Sequence, residues 1–255
     1  MDITVKQDGA HKYVEVGEGE ILLLLHGLFG ALSNFEPLIA HFSTQYKVVV
    51  PLLPILEVSA REATLETYVA YVDSFVEARG YTAMNVLGNS LGGHITLLYV
   101  LQRPERVKTM VLTGSSGLFE SAMGATFPKR GDYEFIRERT AYTFYNPSFA
   151  TKELVDEVFN IVNDRAKAIN IIATAKSAIR HNLGDKLHDI DCPTLLIWGN
   201  QDVITPSFVG ADFQKAIAGS ELHYIDKCGH APMMEQPEQF NAILAPFLAL
   251  HNQKN

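Results

Sequence analysis

The stretch Met84-Asn85-Val86-Leu87-Gly88-Asn89-Ser90-Leu91-Gly92-Gly93 runs an apolar segment into a serine flanked by glycines, and a helical pattern follows at once through Gln102. Met84–Leu87 reads as a buried strand and Leu91–Gln102 as a helix stopped by Pro104. Composition alone would produce G-x-S-x-G about once in ten chains of this length. Its position between a strand and a helix is what makes it informative. A nucleophile on so tight a turn sits at a strained backbone angle, and side chains at 88 and 92 would collide with it. The helix that begins just after Ser90 offers free N–H groups and a favourable dipole to a developing negative charge.

On either side of this turn the chain alternates strands and helices. Ile21–Leu25, Lys47–Val50, Val107–Leu112, Thr194–Trp198 and Glu221–Ile225 are short apolar runs without a polar alternation, as in parallel strands covered on both faces. Leu65, Tyr68, Val69, Val72, Phe75 and Val76 recur at helical spacing up to Gly80, and Glu238 to Leu250 closes the chain as another helix. Ile3–Lys6 and Lys12–Val16, either side of Asp8-Gly9, read as an opening hairpin. The fold class is therefore α/β, with a mostly parallel, doubly wound sheet. From Phe119 to Asp191 no strand is expected, whereas Thr151–Val162 and Arg165–His181 look helical, with Thr151 as an N-cap. The core is thus placed at 1–118 and 192–255, and 119–191 is read as a helical insertion over the sheet.

Of 255 residues, 47% are hydrophobic and 20% charged, enough for a large core. A formal charge of −8, with no Lys/Arg run against it, argues against a nucleic-acid partner. No apolar run is long enough to span a bilayer, and no basic start leads into a long apolar stretch, so no membrane partner and a cytoplasmic location are expected. Two cysteines, Cys192 and Cys228, make no disulfide framework and read as buried thiols. No H-E-x-x-H, phosphate loop or dinucleotide fingerprint is present, so neither a metal nor any other cofactor is expected. His188 and Asp189 with Asp191 read as a solvated edge of the insertion.

Serine at neutral pH needs a base within hydrogen-bond reach. His230, in Cys228-Gly229-His230-Ala231-Pro232, follows the run ending at Ile225, where ligands gather at strand ends of open α/β sheets. Of the other histidines, His223 falls in a strand and reads as a core residue, and His94 faces along the helix after Ser90. Asp202 ends the turn after Thr194–Trp198 and completes the order Ser…Asp…His expected of this architecture. Glu235 and Asp226 are the fallback carboxylates. The oxyanion hole is assigned to the backbone N–H groups of Leu91 and Leu28, the latter in His26-Gly27-Leu28-Phe29-Gly30, with Phe29 as fallback and His26 as a brace of the loop. Ser90 is expected within hydrogen-bond reach of one His230 nitrogen, with Asp202 at the other.

These motifs, in this order and spacing, resemble the α/β-hydrolase superfamily over nearly the whole chain. The resemblance implies that 119–191 is a lid over the site. Relatives often carry an Asp and a Gly-rich turn where this chain has Pro51-Leu52-Leu53-Pro54-Ile55, so an apolar wall is expected there. Phe29, Asn89, Phe144 and Arg165 are the candidate substrate-binding residues, with Phe127, Phe149 and Arg130 also in the lid.

Ser90 argues against the relatives that open epoxides or displace halide, which use a carboxylate at this turn. Three readings remain. The first is a carboxylesterase acting on small to medium neutral esters through an acyl-enzyme, its partner a small-molecule ester. The second is a carbon–carbon bond hydrolase of dienol-type diketones, which this chain resembles in Gly88-Asn89-Ser90, the lid and the stretch from Gly219 to His230. Those relatives usually have Trp after the histidine, where this chain has Ala231. Arg165 is the candidate for their carboxylate-binding arginine. The third is a slow signalling receptor on the same fold. The natural substrate and oligomeric state stay open.

Overall fold

Leucines 22 to 25 face alternately to opposite sides of their strand, and that alternation sorts the core into two layers. The structure, a computed structural model, describes residues 3–30, 32–119 and 129–252. Its elements run β1 (Lys6–Asp8), β2 (His11–Val16), β3 (Glu20–Leu25), α1 (Glu36–Phe42), β4 (Tyr46–Pro51), α2 (Leu65–Ala78), β5 (Met84–Asn89), α3 (Leu91–Gln102) and β6 (Val107–Thr113). Then come α4 (Tyr133–Ala141), α5 (Lys152–Asn163), α6 (Arg165–Arg180), β7 (Thr194–Gly199), α7 (Ser207–Ala216), β8 (Glu221–Ile225), α8 (Pro232–Glu235) and α9 (Pro237–Asn252).

Among the described residues eight strands form one sheet, in the order β1-β2-β4-β3-β5-β6-β7-β8. β1, β2 and β4 pair antiparallel, and every pair from β4 through to β8 is parallel. Leu22 and Leu24 pack with Val48, Val50, Val111 and Ile197 beneath α1 and α9, which contribute Leu38, Ile39, Phe240 and Leu244. Leu23 and Leu25 pack with Val49, Val86, Leu112 and Trp198 against Val72 and Phe75 of α2, Ile95 of α3 and Phe213 of α7. Helices on both faces explain why the central strands read as unbroken apolar runs.

β8 departs from that reading. Glu221, His223 and Tyr224 are exposed, because β8 is the last strand of the sheet and has a free edge. His223 is therefore a surface residue and not a core histidine. Cys192 and Cys228 are both free, Cys228 buried and Cys192 partly so.

α4, α5 and α6 lie between β6 and β7. Asp132, Thr151 and Asp164 cap them in turn, each side chain accepting from N–H groups of the first turn. α6 is fastened to the core through α2: the Leu65 N–H donates to Ser177 Oγ at 3.1 Å, and the Tyr68 and Thr174 hydroxyls meet at 2.7 Å. Among the described residues no helix is long and apolar enough to cross a membrane.

From β3 the chain moves to β4 on one side and then crosses to β5 on the other. The carboxyl ends of β3 and β5, level through the pair Leu25 and Gly88, thus form a topological switch point where a crevice opens.

Candidate active site

Ser90 occupies that switch point in a conformation side chains rarely adopt, with φ 55° and ψ −119°. The surroundings over-determine it. Its N–H donates to the Thr113 carbonyl at 3.1 Å, and its own carbonyl accepts from the Gly93, His94 and Ser116 N–H groups and from Ser116 Oγ. α3 packs so closely on the end of β3 that a Cβ at Gly92 would run into the Leu25 and His26 carbonyls. Glycine is obligatory there for that reason.

Across the crevice, the loop after β8 brings His230 to the loop after β7. His230 Nδ1 donates to Asp202 Oδ2 at 2.9 Å, which leaves Nε2 as the ring nitrogen with a lone pair. Asp202 is sealed from solvent and accepts three further bonds. Ile204 and Thr205 N–H donate to Oδ1 at 2.8 and 2.9 Å, and Thr205 Oγ1 donates to Oδ2 at 2.8 Å. These bonds fix the carboxylate's orientation before it meets the imidazole. Asp226, one of the fallback carboxylates, is exposed and accepts from Gln201. Among the described residues no hydrogen bond joins Ser90 Oγ to His230, although one was expected. The serine hydroxyl turns on a single torsion, and such bonds often tighten only when substrate binds.

The loop after β3 supplies the third part. Gly27 approaches Ser90 so closely that a Cβ there would lie 3.2 Å from Ser90 Cβ. Buried His26 braces this loop: Nδ1 donates to the Gly27 carbonyl at 2.9 Å and Nε2 accepts the Leu53 N–H at 3.0 Å. Burial drives its pKa down, against the pull of the bond to Gly27, so the ring is held neutral. Neither the Leu28 nor the Leu91 N–H has a partner among the described residues, which leaves both free to meet an oxyanion.

The candidate substrate-binding residues divide. Leu28 and Phe29 are half-buried against the core beside the site. Phe144 packs with the opposite layer and stacks near Phe149, their centroids 6.0 Å apart. Asn89 is buried, and its amide nitrogen is committed to the Thr113 and His230 carbonyls at 3.0 and 3.2 Å. Arg165 lies exposed in the first turn of α6, where the helix start faces solvent, and Arg130 is exposed and donates to the Asn163 carbonyl. Phe127 falls outside the described residues. The apolar loop after β4 turns Leu53 and Ile55 into the core, leaving less of it as a wall than expected.

Thr205 and Ser116 escaped the sequence reading, and Glu235 was named there only as a fallback for the orienting acid. Thr205 had a signal, since Asp-x-x-Thr after a strand favours local side-chain to backbone bonds. Ser116 had none, because its partner Ser90 lies 26 residues away, and neither had the bonds from Glu235 to Tyr145 and Asn146, 90 and 89 residues away.

The comparisons with known proteins agree with this architecture. Residues 20–154 match the family model described as alpha/beta hydrolase fold. The chain is 26% identical to a 2-hydroxy-6-oxo-6-phenylhexa-2,4-dienoate hydrolase of Comamonas testosteroni, over 92% of this chain and 90% of that one. It is 30% identical to a 2-hydroxy-6-oxononadienedioate/2-hydroxy-6-oxononatrienedioate hydrolase of Escherichia coli K12, covering 69% of this chain and 66% of the relative. Among solved structures, an alpha/beta hydrolase enzyme from the sediment metagenome of the Mar Chica lagoon in Morocco superposes with a TM-score of 0.81 at 40% identity. That match covers 98% of this chain and 99% of the other. A strained serine at the β5–α3 turn is where such a sheet exposes a reactive side chain, and by both model and relatives the chain belongs to the alpha/beta hydrolase fold family.

Proposed function

We propose that the protein is a serine hydrolase, a carboxylesterase acting on small to medium neutral esters through an acyl-enzyme. The observation that carries this reading is the His230–Asp202 pair, in which Nδ1 is committed to the carboxylate and Nε2 is left to serve Ser90, whose turn Asn89 ties to the His230 loop. Ser90 Oγ attacks the ester carbonyl while Nε2 takes its proton, and Asp202 stabilises the imidazolium. The oxyanion formed is met by the Leu28 and Leu91 N–H groups. Collapse expels the alcohol, which receives the proton from His230, and leaves an acyl group on Ser90. Water, deprotonated by His230, attacks that acyl group and releases the carboxylic acid. The helical insertion acts as the lid.

Neutral substrates are favoured because no lysine or arginine side chain is buried among the described residues. The stretch 120–128 contains neither residue type. A substrate carboxylate entering this site would lose its hydration without a fixed partner, a cost of several kcal/mol.

A second reading, carbon–carbon bond hydrolysis, is favoured by the curated relatives, whose names describe dienoate substrates. Purified protein offered p-nitrophenyl butyrate and, separately, a dienol-type ring-fission diketone distinguishes the two. Ester turnover that disappears in Ser90→Ala supports the esterase. Turnover of the diketone well above that of the ester moves the assignment to the second reading, and turnover of neither moves it to the signalling receptor.

A further inference from the structure

Glu235, the last residue of α8, is a carboxylate with no part in the chemistry above, yet it is only 6% exposed. Its Oε1 accepts the Gly229 N–H at 2.7 Å. Its Oε2 accepts the Tyr145 N–H at 2.8 Å and the Asn146 N–H at 3.2 Å. Gly229 immediately precedes His230, whereas Tyr145 and Asn146 belong to the turn that follows α4 in the helical insertion. A fourth bond crosses the same seam in the other direction: the His230 N–H donates to the Thr143 carbonyl at 3.0 Å. The two successive peptide N–H groups that lead into His230 are therefore both committed to the junction with residues 143–146.

The junction admits no side chain at 229. A Cβ there would lie 2.7 Å from the Thr143 carbonyl, 2.8 Å from the Tyr145 nitrogen and 2.9 Å from Glu235 Oε1. The carboxylate is also an expensive group to bury. Desolvation dominates and raises its pKa, three N–H groups oppose this, and the nearby Asp202 charge adds to the rise. No lysine or arginine forms an ion pair with it among the described residues. An apolar side chain would fill the space at less desolvation cost, but it would orphan three N–H groups in the seam.

We propose that Glu235 is a positioning residue that locks the catalytic-histidine loop to the helical insertion, so that His230 is correctly placed only when the 143–146 turn is seated. This rests on the reading of His230 as the base. With the turn seated, the loop is held from the insertion side by Thr143 and by Glu235, and from the sheet side by Asn89. Once the turn lifts, the His230 N–H loses the Thr143 carbonyl and Glu235 loses Tyr145 and Asn146. Of the two anchors on the His230 backbone only the Asn89 bond to its carbonyl then remains, beside the Gln201 bonds to Cys228 and the Glu235 bond to Gly229.

The informative variant is Glu235→Gln, which keeps shape but not acceptor capacity. Its single carbonyl oxygen serves either Gly229 or the Tyr145/Asn146 pair, and its amide N–H groups face the other side donor to donor. With p-nitrophenyl butyrate, kcat should fall by about ten- to a hundredfold while KM changes less than threefold, the pattern of a misplaced base with intact binding. Phosphonylation of Ser90 by a fluorophosphonate should slow in parallel, and the Gly229, Tyr145 and Asn146 amides should all exchange faster. An unchanged kcat together with faster exchange would overturn the proposal, since the seam would then open without consequence for the base. Should the variant fail to fold, native-state hydrogen exchange on the unaltered protein decides: the three amides should open together with one denaturant dependence, and independent opening would overturn the proposal. His230→Ala separates this from the parent reading. Turnover surviving in His230→Ala refutes the base assignment, while the exchange data still report on the seam.

Discussion

Asn89 and His230 are joined by a bond from the Asn89 side-chain amide to the His230 carbonyl at 3.2 Å, so the residue before the proposed nucleophile holds the loop of its proposed base. The other amide hydrogen goes to Thr113 at the end of β6. The Ser90 turn, β6 and the His230 loop are thereby tied through one buried side chain.

This arrangement predicts an unusual order of severity at position 89. Asn89→Ala removes both donors and should cost about 1–3 kcal/mol of stability. Asn89→Asp is worse, because its oxygens face two carbonyls with no hydrogen to share. Urea midpoints should fall from the native protein to Asn89→Ala to Asn89→Asp, with kcat following the same order. An Asp variant as stable as the native protein would show that the amide is not the tie.

The strained serine sets up a trade between stability and activity. Its φ of 55° is easy only for glycine. Ser90→Gly should therefore raise unfolding free energy by roughly 1 kcal/mol while abolishing turnover. Ser90→Ala keeps the strain, so it should lose activity by on the order of a million-fold without that gain. Equal stabilities of the two variants would count against backbone strain at the turn.

At the third member of the proposed triad, Asp202→Asn should keep the fold, because one oxygen still accepts from the Ile204 and Thr205 N–H groups. It should nevertheless depress kcat by about ten-thousand-fold, since an amide beside Nδ1 favours the wrong tautomer. Thr205→Val removes one donor to the carboxylate and should cost about tenfold. Near-native activity in Asp202→Asn would move the orienting acid elsewhere.

What could be read in advance follows from where the determining contacts lie. β3 to β7 were legible because a sheet covered on both faces needs unbroken apolar runs, and α3 was legible because Leu91–Gln102 sits between a glycine turn and Pro104. α1 and α7 were missed: one is seven residues long with a proline near its start, and the other follows Pro206 and contains Gly210. His223 was misplaced because one strand's composition does not reveal that it will be an edge. Ser90, Asp202 and His230 could be nominated from local turns after strands, and the fold joins two of them, His230 and Asp202. The tie from Asn89 to the His230 carbonyl and the Glu235 bond to Tyr145 went unseen, because they join residues 141 and 90 apart that only the folded chain brings together.

Buried neutral histidines give the stability a defined acid limb. Burial pushes His94 down to about 4, against a bond from its ring to the His181 carbonyl, and pushes His26 down as well. Above about pH 6.5 both rings are neutral in folded and unfolded chains alike and add no pH dependence. Below it the unfolded chain takes up protons that the folded protein refuses, so stability falls until the folded value is reached. Between pH 6.5 and 5, His94 alone should account for roughly 2 kcal/mol. His94→Gln retains a donor for His181 and should flatten that part of the urea-midpoint profile. An unchanged slope would assign the acid limb to other groups.

Substrate preference follows from what surrounds Ser90. Leu28, Phe29 and Leu91 are apolar and packed against the core, and no buried cation is available among the described residues. Each methylene added to the acyl chain should gain about 0.8 kcal/mol on burial, roughly fourfold in kcat/KM, until the space is filled. Across p-nitrophenyl esters from acetate to dodecanoate, kcat/KM should therefore climb over the first few carbons and then decline. Arg165 provides the control, because its exposed place at the start of α6 gives it no hold on a substrate. Arg165→Ala should leave kcat/KM for the best ester within about twofold, whereas an arginine clamping a substrate carboxylate contributes a charge-assisted pair whose loss costs far more. A flat chain-length profile, combined with a large loss in Arg165→Ala on a dienoate substrate, would mean that a carboxylate enters this site after all and would favour carbon–carbon cleavage.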